Sequence, residues 1–247
     1  MAVRYERLES TAVITLDRPG SLNAMNEALT RELTEAWHRF LAEEDALIAV
    51  LTGAGRAFCA GLDMKEAAEA LRLGRPMIMT PLLKAADISK PAIAAINGPC
   101  AGGGIEMMLA CDIAVCSDTA QFVLPFVARG RDGSSVALSV ARRTSVSVAL
   151  YMAMTASRID AAAALRFNLV HEVLPQEEVL PRALEIAEKL AGYSQPALRN
   201  MKARLVRASL TTLEGEPGSD LQSELARSPD MLEGTLAFDE KRRPRYQ

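Results

Sequence analysis

The sequence predicts an α/β fold with strands gathered toward the N-terminus and helices toward the C-terminus. Three observations lead there. Residues 3–6 and 12–16 are short runs of strand-forming side chains, and 26–43 then places Leu29, Leu33, Trp37, Phe40 and Leu41 at helical spacing, a ββα opening. Residues 48–52 form a third apolar run bounded by Gly53 and Gly55, and Ala92–Ile96 another, ended by the breaker sequence Asn97-Gly98-Pro99. From Ser135 onward the pattern becomes mostly helical.

The remaining elements follow from the same signs. A helix is expected to start near Gly103, residues 113–115 and 121–123 read as strands, and helices are expected over 135–141, 145–155, 161–167, 177–191 and 195–210. Gly215-Glu216-Pro217-Gly218 interrupts this run before a helix from about Ser219 and another over 231–242, both able to pack on a neighbouring chain. The 247 residues fit one core domain, 1–190, followed by a helical oligomerisation region, 191–247.

Composition narrows the partners. With 28 basic and 31 acidic side chains the net charge is −3, which offers no field for a phosphate backbone, so nucleic acid is not expected. The most apolar stretch, 91–116, is interrupted by Asn97, Glu106 and Asp112 and reads as buried structure rather than a membrane span. Residues 1–10 alternate charged and apolar side chains, unlike a signal peptide, so a cytoplasmic protein is expected. Cys59, Cys100, Cys111 and Cys116 lack a C-x-x-C spacing, and His38 and His171 are the only histidines, so no metal site is expected and the thiols read as reduced and buried.

Two segments carry chemistry. Asn97 through Glu106 contains Gly102-Gly103-Gly104 between an apolar strand and an apolar helix, which leaves N–H donors bare at a helix start. Close helix–strand packing would call for the same glycines. The segment lacks both the P-loop Lys-Ser/Thr and the dinucleotide G-x-G-x-x-G spacing, so no nicotinamide cofactor is expected. The second segment, Gly55 through Glu66, follows another strand with small residues and ends in a helix that Asp63 could cap. Two such turns could give two N–H donors to one oxygen, and one donor of an oxyanion hole is typically worth about 3 kcal/mol.

In these stretches the chain resembles the crotonase, or enoyl-CoA hydratase/isomerase, superfamily. The resemblance rests on residues 18–25, 58–66, 90–106, 110–113 and 233–244 in this order and spacing. It implies a spiral of ββα units with a C-terminal helical region, assembly as a homotrimer or dimer of trimers, an acyl-CoA thioester as substrate with no further cofactor, and a place in fatty acid metabolism. It also implies oxyanion-hole donors at the N–H groups of Leu62 and Gly103, CoA contacts at Ala60, Leu62, Asp63, Met64 and Lys65, and a tail contact at Lys241 with Phe238.

The carboxylates depart from the pattern. Glu106 matches the first of the two glutamates of typical hydratases, whereas the second falls where this chain reads Leu124-Pro125-Phe126, and Phe126 cannot move a proton. Asp132, in Asp132-Gly133-Ser134-Ser135, resembles the acid of several isomerase relatives, although the loop before it is shorter; it reads equally as a helix N-cap. Ser134 and Ser135 lack a G-x-S-x-G setting, which argues against a serine-hydrolase triad. Met64, Leu71, Met77, Ile78 and Met79 read either as an acyl-pocket wall or as helix core. The function expected is hydration or double-bond isomerisation of an enoyl-CoA with Glu106 as general acid/base. The alternative is a catalytically weak acyl-CoA-binding homologue with a scaffold role.

Overall fold

A computed structural model describes residues 1–75, 80–211 and 229–245. In chain order its elements begin β1 (Val3–Leu8), β2 (Thr11–Leu16), α1 (Glu27–Ala42), β3 (Ile48–Gly53), α2 (Met64–Arg72), β4 (Ala92–Ile96), β5 (Cys100–Ala101), α3 (Gly103–Leu109), β6 (Ile113–Ser117) and β7 (Gln121–Val123). They continue as α4 (Ser134–Arg143), α5 (Val146–Thr155), β8 (Ile159–Asp160), α6 (Ala161–Arg166), β9 (Glu172–Leu174), α7 (Val179–Ala191), α8 (Gln195–Thr211) and α9 (Pro229–Asp239).

The main sheet runs β1-β2-β3-β4-β6-β9, antiparallel only at the β1–β2 hairpin and parallel beyond it. Its central strands read as continuous apolar runs because both faces are covered. Ile48, Val50, Ile93, Ala95 and Val115 meet Val179, Ala183 and Ala187 of α7 on one face. Ala49, Leu51, Ala94 and Ile96 point the other way, into the larger core with Leu29, Leu33 and Phe40 of α1. Asn26 starts α1 by accepting a hydrogen bond from the Leu29 N–H, as its side chain and position favour.

A second, small sheet, β5-β7-β8, stands beside the first and positions the site. The sequence reading missed β5, β8 and β9, and the last two show that strands are not confined to the N-terminal half. Each has two or three residues, too few for a period, and exists only through its partner: Cys100 opposite Phe122, Gln121 opposite Asp160, Cys116 opposite Val173. The helix expected over 177–191 begins as a short 3-10 turn, with α7 proper from Val179. The helix expected over 231–242 is α9, displaced toward the N-terminus, whereas the one expected from Ser219 lies outside the described residues, as do Met77, Ile78 and Met79. Among the described residues no helix is long and apolar enough to cross a membrane.

One buried charge braces this frame. The Lys90 ammonium, 4% exposed, donates to the carbonyls of Phe40 (2.8 Å), Glu43 (2.6 Å) and Ala46 (2.9 Å), closing the C-terminal end of α1, where a cation is favoured. Lys90→Met keeps the aliphatic stem and removes all three donors. It is expected to lower stability by about 2–4 kcal/mol. An unchanged urea midpoint would show that the three carbonyls do not depend on the lysine.

Candidate active site

Two turns meet back to back. Where the chain leaves β3 and β4, Cys59 pairs with Cys100: the Cys59 N–H donates to the Pro99 carbonyl (3.2 Å) and the Ala101 N–H to the Cys59 carbonyl (2.8 Å). Gly61 then turns the first segment with φ +86°, a conformation that disfavours side chains, and a β-carbon there would lie 3.0 Å from the Ala101 oxygen. The next residue is gripped from one side by Met25, whose N–H donates to the Gly61 carbonyl (2.7 Å) and whose carbonyl accepts from the Asp63 N–H (2.8 Å). The Leu62 N–H between them takes no part in this pairing. Gly103 opens α3, so its N–H has no partner within the helix. Neither N–H has an acceptor among the described residues.

Asn23 holds the first turn in place. Fully buried, it donates from Nδ2 to the carbonyls of Ala54 (2.9 Å) and Ala57 (2.8 Å), and its Oδ1 accepts from the Arg18 N–H (2.8 Å). This gives a physical purpose to the 18–25 stretch. Arg18 also pairs with Asp63 (3.1 Å), whose carboxylate caps α2 by accepting from the Glu66 N–H (3.4 Å).

Leu62 and Gly103 border a cavity of about 390 Å³ together with Met64, Glu106, Phe126 and Asp132. Glu106 sits in the first turn of α3, and no hydrogen bond engages its carboxyl among the described residues. Burial raises its pKa, with Lys84 pulling the other way. The Phe126 ring packs over Gly133, where a β-carbon would collide with it. Asp132 accepts from the N–H (3.0 Å) and hydroxyl (2.9 Å) of Ser134. Gly133, not Asp132, occupies the N-cap position of α4, so Asp132 ties off the helix from one residue further out.

Not every expected residue is at this cavity. Ala60, Asp63 and Lys65 are outside its lining, and so are Phe238 and Lys241. Phe238 instead lies under the Arg129 guanidinium at 4.5 Å, and Lys241 follows α9 in a left-handed conformation. The Nδ1 of His171 accepts from the Ala114 N–H (3.0 Å), and Ser134 faces Asp132, so among the described residues these two form no Ser-His arrangement. Sequence reasoning missed Lys84, Arg129 and Arg131, all three on the cavity wall. Lys84 and Arg131 sit in loops and Arg129 ends a single 3-10 turn, where no periodicity flags a residue; the signal for the two arginines is charge just after Phe126.

An α/β frame that brings to one cavity two residues whose N–H groups have no acceptor among the described residues, together with one carboxyl, suits an enzyme acting beside a carbonyl. The family model described as Enoyl-CoA hydratase/isomerase matches residues 6–247. The chain is 36% identical to the (E)-benzylidenesuccinyl-CoA hydratase of Thauera aromatica, covering 100% of this chain and 99% of that one. It is also 36% identical to the carnitinyl-CoA dehydratase of Proteus mirabilis, over 96% and 95% of the two chains. A crystal structure of carnitinyl-CoA hydratase from Mycobacterium avium superposes with a TM-score of 0.85 at 31% identity, covering 100% of this chain and 98% of that chain. The chain belongs to the enoyl-CoA hydratase/isomerase family and has its crotonase fold.

Proposed function

We propose that this protein is an acyl-CoA enzyme that holds the thioester oxygen between the Leu62 and Gly103 N–H groups and moves protons with Glu106. The observation that carries this is that Leu62 and Gly103, whose N–H groups have no acceptor among the described residues, border a single cavity with Glu106. In hydration, water adds at C3 of a 2-enoyl-CoA, the enolate oxygen draws on both donors, and C2 takes a proton. In isomerisation, a carboxylate removes a proton from C2 of a 3-enoyl-CoA and a carboxylic acid returns one at C4. Phe126 leaves the usual second carboxylate absent while Asp132 borders the same cavity, which favours isomerisation or a one-carboxylate hydration. Met64 and Phe126 would line the acyl group, and Ala60, Asp63, Lys65, Phe238 and Lys241 the approach of CoA.

Products from 2-enoyl-, 3-enoyl- and 3-hydroxyacyl-CoAs, followed by mass spectrometry, test the reading; silence on all three would favour an acyl-CoA binder. Glu106→Gln is expected to cut turnover about 10²-fold or more while binding persists. With Glu106 as base, activity falls as pH drops through its raised pKa, so the acid limb of kcat/KM lies above the ordinary glutamate value of about 4.3. Asp132→Asn keeps an oxygen for the Ser134 N–H; unchanged turnover assigns Asp132 to the helix end, and a large loss at unchanged Tm assigns it to proton transfer. Full turnover by Glu106→Gln would sink the mechanism.

The scheme uses neither metal nor nicotinamide. Turnover is therefore expected to survive dialysis against EDTA, and restoration by a divalent ion after a loss would contradict it.

We also propose a cytoplasmic homotrimer or dimer of trimers, with 191–247 contributing to assembly. Val146, Leu150, Tyr151 and Met154 expose between 51% and 71% of their surface along α5, an apolar strip that a neighbouring copy would cover. Sedimentation should give three or six times the 26.6 kDa chain mass, and a monomer would refute assembly.

A further inference from the structure

The loop after Phe126 carries two arginines, and its backbone sends both to one wall. The Phe126 carbonyl accepts from the N–H groups of Arg129 (2.9 Å) and Arg131 (3.0 Å), and Gly130 closes the turn at φ +62°. Both side chains line the cavity that Leu62, Gly103 and Glu106 also border. Burial lowers the pKa of each guanidinium, and Arg131 lowers that of Arg129 further, as expected of two neighbouring like charges partly withdrawn from water.

Nothing described neutralises them. Among the described residues neither guanidinium pairs with a carboxylate: Arg129 lies over the Phe238 ring at 4.5 Å, and Asp132 bonds Ser134. Lys84, on the same cavity, adds a third cation, against the carboxylates of Glu106 and Asp132. A partly buried guanidinium without a counter-charge is costly, and a planar carboxylate is the partner its fork fits.

We propose that the Arg129–Arg131 wall binds a carboxylate on the acyl chain, so that the substrates are CoA thioesters of unsaturated dicarboxylic acids. The proposal rests on the acyl-CoA reading above. The phosphates of CoA offer a second source of negative charge, but the arginines share a volume of about 390 Å³ with the thioester donors, the space of the acyl group rather than the nucleotide.

Calorimetric binding of saturated, non-reacting esters separates the cases. Glutaryl- or adipyl-CoA is expected to bind about 10- to 100-fold tighter than butyryl-CoA, the range of one charge-assisted contact. Arg131→Gln should remove that preference and leave butyryl-CoA affinity unchanged; Arg131→Lys should restore part of it. If butyryl-CoA binds and neither carboxylated ester binds tighter, the inference falls and the acyl-CoA reading stands. If no ester binds, both fall. If Arg131→Gln weakens all three CoA esters equally but not their pantetheine counterparts, the arginine grips a CoA phosphate and the inference is overturned.

Discussion

The pairing of Cys59 with Cys100 is the contact on which the site depends. The segments that leave β3 and β4 separate from the main sheet yet keep parallel hydrogen bonds to each other, through the Pro99 and Cys59 carbonyls. Each then breaks away at glycine, one toward Leu62 and one toward Gly103. Had the segments parted at the sheet edge, each turn would end beside its own helix and the two free N–H groups would face different solvent. Because β5 also pairs with β7, the Gly102 N–H reaches the Val123 carbonyl (3.0 Å), and the chain that follows brings Phe126 and Asp132 to the same place. One short ladder therefore sets donors, carboxyl and opposite wall at once.

The charge state of Glu106 follows from two opposed effects. A helix start favours an anion by about 0.3–1 kcal/mol, less than one pKa unit, since a unit corresponds to about 1.36 kcal/mol. Burial acts the other way and prevails, Lys84 notwithstanding, because the pKa is raised. A carboxyl so placed both gives and takes protons more readily near neutrality than an exposed one. Burial at the cavity that Gly61 and Leu62 also border thus tunes the side chain beside them.

Much of this arrangement was legible in the sequence, and the part that was not has a common cause. Long apolar runs and the Leu29–Phe40 spacing announce β3, β4 and α1, because each period reflects burial of one element against an extended core. The glycine turns were legible as donors without their mutual pairing, which is a contact across about forty residues that no local pattern encodes. The role of Asn23, at φ +55° with three side-chain hydrogen bonds, was not legible in the 18–25 stretch for the same reason. Lys90 entered only as the start of the 90–106 stretch, yet it serves the end of a helix that finished nearly fifty residues earlier. Asp63 and Phe238 fell near the site by resemblance, while the carboxylate of one is taken by Arg18 and the ring of the other by Arg129.

The cavity wall around Phe126 shows how one side chain organises its surroundings. A glutamate at 126 would need a counter-charge or water; the phenyl ring instead needs area, and finds it over Gly102 and Gly133. With Gly133 committed to the ring, the start of α4 is left without a side-chain cap, and Asp132 supplies the missing acceptor from one residue outside. The turn that carries the chain from Phe126 to Asp132 folds back on the Phe126 carbonyl and leaves Arg129 and Arg131 facing inward. Arg129 is then steadied by Phe238 from α9, so the C-terminal helix reaches the cavity through this contact rather than directly. The ring, the capless helix start and the two inward arginines are thus parts of one packing arrangement around Phe126.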